Sequence, residues 1–263
     1  MKKLVVSEVW IYPIKSLGGI RLSPAKILPK GIEYDRRWML IDKDNMFMTQ
    51  RENPAMALFK LSFANGHFMI HHTGHTIDLP FTYGSDPIQS QVWDDCVEVY
   101  EVNPFHSKWF SERLGIECRL VSFPDTNERP IDPRYAFNNE QVSLADGYPL
   151  LVIGQASLDD LNNRMNQPLP MNRFRPNIVF TGGEPYEEDD WKNFRIGANR
   201  FAGVKPCARC VLTTIDQDTA DKGIEPLATL ATYRRRENKV YFGQNLIPLN
   251  YNQVAEGDEI VFE

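Results

Sequence analysis

Apolar and polar residues alternate in short runs along most of this chain, and a period of two is the mark of half-buried strands. The segments LVVSEVWIY, GIRLSPAKIL, RRWMLID, FKLSF, HFMIHH, HTIDL, QVW and VEVYEV are rich in β-branched and aromatic residues, and Gly, Pro, Asn and Asp punctuate them. They predict a succession of short strands. His71-His72-Thr73-Gly74-His75 predicts a hairpin turn. Helical spacing is rarer. The clearest helix is predicted over 104–114, with Asn103 as its cap and Pro104 in its first turn. Trp109, Phe110 and Leu114 form its apolar stripe, and Gly115 stops it.

CRLVSF (118–123) predicts another strand, and the polar, proline-rich tract PDTNERPIDPRYAFNNE (124–140) follows it. Such a tract is either a domain boundary or a long active-site loop. Beyond it YPLLVIG reads as a buried strand. Residues 156–165 read as a short helix, with Ser157 near its start and Leu158, Leu161 and Met165 at helical spacing. NIVFTGG reads as a strand and turn, IEPLATLATYRR as a further helix, and YFGQNLIPLN and EIVFE as closing strands. The expected fold is mainly β with a few helices. Two linked β-rich halves, 1–123 and 124–263, are expected to be barrel-like rather than doubly wound.

Composition narrows the function classes. With 263 residues the chain can bury a sizeable core, and a net charge of −6 argues against a general role on nucleic acid or anionic membranes. MKKLVVSEVW is broken by Ser7 and Glu8 too early for a signal peptide. No window reaches the roughly 20 apolar residues that a membrane helix needs. Four cysteines in a chain this long form no disulfide framework, so a reducing cytoplasm is expected.

Two of those cysteines stand in KPCARCVLTTID, Cys207 and Cys210, spaced C-x-x-C around Arg209. Structural zinc needs four N/S ligands, and Cys96 and Cys118 lie in unrelated β segments that form no second pair. His67, His71, His72 and His75 crowd one hairpin, where alternation sends His72 to the opposite face from His67 and His71. A thioredoxin-type dithiol belongs at a helix N-terminus, whereas the run after Cys210 has strand propensity. Two buried structural cysteines are a further reading, which Arg209 opposes because it favours thiolate and resists unpaired burial. A thiolate on a soft metal fits better.

Several stretches together carry a family resemblance. They are IYPIKS (11–16), YDRRWMLID (34–42) with MTQR (48–51), QASLDDLN (155–162), NRFRPNIV (172–179) and CARCVLTTIDQDT (207–219). In this order and spacing the chain resembles the MOSC family, named for the molybdenum-cofactor sulfurase C-terminal domain. It is most similar to the branch with an N-terminal β-barrel domain that includes amidoxime-reducing proteins. The resemblance implies a β-barrel MOSC domain and a molybdenum–molybdopterin cofactor, with Cys210 as the metal's protein ligand and Cys207 as a neighbour. It also implies cofactor contacts from Lys15, Arg36, Arg175, Asn177 and Arg209, and from Ser157 near a helix start. The residue types agree: arginine forks suit phosphate, asparagine matches the donor and acceptor edge of a pterin, and helix N-termini attract anions.

Alternation in a strand would send Arg36 and Arg37 to opposite sides, and the family pattern picks Arg36 as the inward one. Arg173 would share a face with Arg175 if FRPN is extended, which makes it a secondary candidate, and Arg51 is another. Asp216 is expected to fix the turn after the ligand strand or, less simply, to act as a general acid.

The resemblance implies reduction of N-hydroxylated compounds, such as amidoximes and N-hydroxylated bases. Some relatives continue into a fused [2Fe–2S] module, whereas this chain ends at EGDEIVFE without such a cysteine cluster. Electrons are therefore expected from a separate ferredoxin, flavoprotein or cytochrome. A second departure is Ala220, where the family string D-x-D-T-G has glycine. The alternative is a carrier of molybdopterin, or of sulfur as a Cys210 persulfide. No pyridoxal-phosphate lysine site is apparent, so another protein would have to supply that sulfur.

Overall fold

The computed structural model describes residues 3–262. The first strand, Val5–Ile11, buries Val6, Val9 and Ile11. It does not stay with its sequence neighbours. It pairs antiparallel with Ile178–Thr181 on one side and Ile20–Arg21 on the other. This places it in a nine-stranded sheet otherwise built mostly from the second half of the chain. Across that sheet run Ile260–Phe262, Asn193–Ile196, Asn199–Arg209, Lys239–Pro248, Leu150–Gly154, Ile178–Thr181, Val5–Ile11 and Ile20–Arg21, with Arg235–Arg236 beside Lys239–Pro248.

The pair Leu150–Gly154 and Ile178–Thr181 is parallel, and helix α2 (Gln155–Asn163) lies in the connection between them. Residues 25–28 likewise pair with 253–254 near the end of the chain. The hydrogen-bonded sheets therefore cross residue 123 in both directions.

Two further sheets come from the first half. Trp38–Ile41, Arg119–Ser122, Asp95–Glu101 and Pro87–Val92 make a four-stranded sheet, and 60–64, 67–72 and 75–79 make a three-stranded one. The fold is mainly β, as the alternation predicts. Helix α1 runs Pro104–Leu114: the Asn103 side chain accepts from His106 N, and Gly115 ends it in a left-handed conformation. The histidine hairpin turns at Thr73-Gly74, both at positive φ. His72 stacks on Phe59 with centroids 4.1 Å apart, while His71 bonds Ser62 and Thr76. These histidines serve the hairpin, and among the described residues no three His, Cys, Asp or Glu side chains converge on a metal position.

Two local expectations change. The helix expected over IEPLATLATYRR shrinks to α3, Leu227–Ala231, because Arg235–Arg236 is drawn off to pair with Lys239–Pro248. The Val-Leu-Thr-Thr run after Cys210 is a 3₁₀ turn, Val211–Thr214, rather than a strand. Thr213 Oγ1 donates to the Cys210 carbonyl at 3.0 Å and Thr214 Oγ1 to the Val211 carbonyl at 2.8 Å. Such back-bonding hydroxyls favour a tight turn over the strand that β-branching suggests.

Candidate active site

Strand Asn199–Arg209 is irregular where its sequence demands it. Pro206 has no N–H for the ladder, and the register against Lys239–Pro248 slips between Gly203 and Lys205 and again between Pro206 and Ala208. The slips bring Cys207, Arg209 and Cys210 to the wall of one cavity of about 130 Å³. Cys210 itself is exposed. Cys207 is half-buried, and Arg209 Nη1 donates to its sulfur at 3.0 Å. Arg209 Nη2 donates to the Phe174 carbonyl at 2.6 Å, while Nε is buried without a hydrogen-bond partner.

Lys15, Arg36 and Arg175 line the same cavity. Arg36 stands at φ 51° and Arg175 at φ 55°, left-handed positions that side chains of this size rarely take. Both guanidinium groups rest on the buried Tyr12 ring, at 4.4 and 4.2 Å from its centroid. Arg36 Nη1 donates to Asp35 at 2.6 Å and to Asn177 Oδ1 at 3.1 Å. Among the described residues Arg175 Nη1 has only the Leu17 carbonyl, at 2.6 Å. Burial and, after it, the nearby Arg36 charge pull the Arg175 pKa down to about 10.

Lys15 is buried and donates to the Leu144 carbonyl at 2.8 Å and to Asp146 Oδ1 at 2.6 Å. Desolvation lowers its pKa, and Asp146 opposes the shift. The Asp146 side chain is 69% exposed, yet its carboxylate sits in a recess whose desolvation alone would raise its pKa. The Lys15 ammonium, the Trp93 indole N–H and the Arg51 charge outweigh that and hold the carboxyl well below the usual range.

In a chain of net charge −6, this cavity gathers Lys15, Arg36, Arg175 and Arg209 against Asp35 and Asp146. Arg175 and Arg209 have no carboxylate partner among the described residues. Buried Arg175 and half-buried Arg209, left in that state, favour an anionic ligand.

The other expected residues fare differently. Asn177 lines the cavity, but its side chain is already engaged. Oδ1 accepts from Leu151 N and Arg36, and Nδ2 donates to the Trp10 carbonyl, so Asn177 ties the first strand to Leu150–Gly154. Ser157 is not brought to the cavity. Its hydroxyl is fully buried against Glu188, 2.9 Å from both carboxylate oxygens, and it accepts from Tyr186 N. The Ser157 hydroxyl is thus satisfied internally, and the helix start carries no side-chain cap.

FRPN is not extended. Met171–Arg173 is a 3₁₀ turn, so Arg173 leaves the cavity for the Thr213 carbonyl and Asp216. Arg36 and Arg37 diverge as expected but from a turn rather than a strand, and Arg37 pairs with Asp125 at 3.0 Å. Arg51 stacks on Trp93 instead of lining the cavity. Asp216 accepts from the backbone N–H groups of Asp218 and Thr219, which makes it a turn-fixing carboxylate. Asp146 escapes sequence reading because Asp-Gly signals only a turn.

Comparison with known proteins bears on what this arrangement is. Residues 3–117 match the MOSC N-terminal beta barrel domain and residues 139–261 the MOSC domain. Mitochondrial amidoxime-reducing component 1 of Mus musculus is 34% identical over 97% of this chain and 81% of its own length. The chain belongs to the MOSC family. The Homo sapiens protein of the same name is 31% identical over 97% of this chain and 82% of that protein. Molybdenum cofactor sulfurase of Oryza sativa is 31% identical over 96% of this chain, which spans only 33% of that longer protein. In this MOSC protein, Lys15 and Arg36 come from the region matched as N-terminal and Arg175, Arg209 and Cys210 from the MOSC region. The cavity draws on both.

Proposed function

We propose that this MOSC protein is a molybdenum-cofactor-dependent reductase of N-hydroxylated compounds, amidoximes and N-hydroxylated bases among them, with electrons from a separate redox protein. The carrying observation is the exposed Cys210 thiol in one cavity with four cations, two of which have no carboxylate partner. The names of the mouse and human relatives, matched along nearly the whole chain, point the same way.

The residues present fit the cofactor. Cys210 offers a soft thiolate to a metal already held by sulfur. Lys15, Arg36 and Arg175 offer charge and N–H donors to a phosphate, and the orphaned Arg209 Nε needs an acceptor that the described residues do not provide. When bound, the molybdenum cofactor supplies two-electron chemistry at the substrate's N–O bond, and the protein holds and orients it. Asp146, ionised at neutral pH, is an acceptor for substrate N–H or O–H groups in the same wall. Among the described residues no helix is long and apolar enough to cross a membrane. A reducing, cytoplasmic setting suits an exposed thiol that must stay available to a metal.

The rice sulfurase relative favours a second reading, a cofactor or sulfur carrier acting through Cys210. The deciding measurement is molybdenum per chain, on protein made in a host that synthesises molybdopterin, followed by benzamidoxime reduction. Near-stoichiometric metal is expected in wild type and in Cys207→Ser, and its loss in Cys210→Ser. Folded protein without molybdenum in every variant would overturn the enzyme reading. Equal loss in both cysteine variants would remove the ligand assignment, and transferable sulfur without turnover would select the carrier.

A further inference from the structure

Trp93 sits where its own backbone disfavours it. It is the first residue of the two-residue turn between Pro87–Val92 and Asp95–Glu101, closed by the Asp95–Val92 pair, and its φ is 57°. Positive φ in such a turn is ordinarily met by Gly or Asn, because a Cβ crowds the following carbonyl. A bulky aromatic there persists only where the surroundings hold it, and such outliers cluster at functional sites.

The surroundings are specific. Trp93 Nε1 donates to Asp146 Oδ1 at 3.1 Å, across 53 residues of sequence. The Arg51 guanidinium lies 4.1 Å over the indole, and the Phe47 ring is 5.3 Å from it. Lys15 Nζ takes the same Asp146 oxygen at 2.6 Å and lies 5.2 Å over Phe47. Both protein donors converge on Oδ1, which leaves Oδ2 without a protein donor among the described residues. Asp146 is part of the cavity wall.

We propose that Trp93 is a positioning residue for the substrate: together with Lys15 it pins Asp146 through Oδ1, leaving Oδ2 as the acceptor for a substrate that presents paired N–H and O–H donors. This rests on the functional reading above and narrows it. An amidoxime or hydroxyguanidine carries an amino group and an N–OH on one carbon and fits this acceptor. The charged groups around Asp146 are Lys15, Arg51 and, farther off, Arg175, all cationic, so the carboxylate stays ionised and acts only as an acceptor.

The test uses molybdenum-loaded wild type, Trp93→Phe, Asp146→Asn and the double variant, with benzamidoxime as the probe. Loss of a charge-assisted hydrogen bond predicts about a tenfold rise in KM for Trp93→Phe, with kcat changed less. Molybdenum content and melting temperature should hold. Trp93→Phe should add nothing in the Asp146→Asn background, since coupled residues are non-additive. Full additivity, or a wild-type KM in Trp93→Phe, would overturn the proposal.

An activity-independent arm follows the indole ¹H–¹⁵N resonance that disappears in Trp93→Phe. It should move in Asp146→Ala, and an unmoved resonance also overturns the proposal. If loaded wild type neither binds nor reduces benzamidoxime, the functional reading has failed, and with it the substrate class. The nuclear magnetic resonance result then decides separately whether Trp93 holds Asp146.

Discussion

Glu188 is fully buried, and it is held by neutral donors. Its Oε1 accepts from Gly154 N at 3.1 Å and both oxygens lie 2.9 Å from Ser157 Oγ, while among the described residues no cation pairs with it. Desolvation, with a smaller push from the adjacent Asp189, raises its pKa to about 7, against the donors that favour the ionised form. A carboxyl whose folded pKa lies above its unfolded value contributes stability that is complete below the unfolded value, near 4.5, and is lost as pH rises through about 7. A shift of this size corresponds to about 3 kcal/mol at 1.36 kcal/mol per unit.

Glu188→Gln keeps an oxygen for Gly154 N and removes the ionisation. The variant should therefore gain on wild type as pH rises from 5 to 8, by up to about 3 kcal/mol, or about 5 °C in Tm for a chain of this length. Thermal melts of both proteins across that range give the answer as the difference of two curves, which cancels the other titrating groups. Parallel curves would refute the reasoning and place an unrecognised cation or water at Glu188. A uniformly lower curve for the variant would report packing damage, and its slope against wild type would still carry the test.

Other outcomes follow from the same geometry. Inorganic phosphate should stabilise the cofactor-free protein by binding the cavity cations, about 1.4 kcal/mol at ten times its Kd. Arg175→Met should at least halve that Tm response, and an unchanged response would remove Arg175 from the anion site. Ala220 holds φ 64° at the position where the family string has glycine, and its N–H donates to the Asp216 carbonyl at 3.0 Å. Ala220→Gly should relieve that conformation and stabilise the protein by up to about 1 kcal/mol, readable as a shift in the urea midpoint. A destabilised Ala220→Gly would mean that the loop gains more from the methyl group than it loses in strain.

Sequence alone determined much of this protein. Alternation and turn residues gave the strands, because a half-buried strand writes its own period into the chain. Asn103, Pro104 and Gly115 fixed helix α1 to the residue, because caps act within one turn. The motif strings gave the family and named Lys15, Arg36, Arg175, Arg209 and Cys210, all of which line one cavity.

The tertiary structure decided where long-range contacts outweighed local preference. The first strand went to the far sheet because sheet pairing is indifferent to sequence distance once the chain has closed. Ser157 turned to Glu188 rather than to the cavity, and Asn177 spent its amide on three strand and arginine contacts. No local pattern records a partner 31 or 26 residues away. The Thr213 and Thr214 hydroxyls and the Arg173 contact overrode strand propensity after Cys210. Asp146 and Trp93, an ordinary turn aspartate and a strand-end tryptophan by sequence, become parts of the site only when folding sets them 3.1 Å apart. A hydrogen bond depends on position in space, and spacing along the chain constrains that only over a few residues.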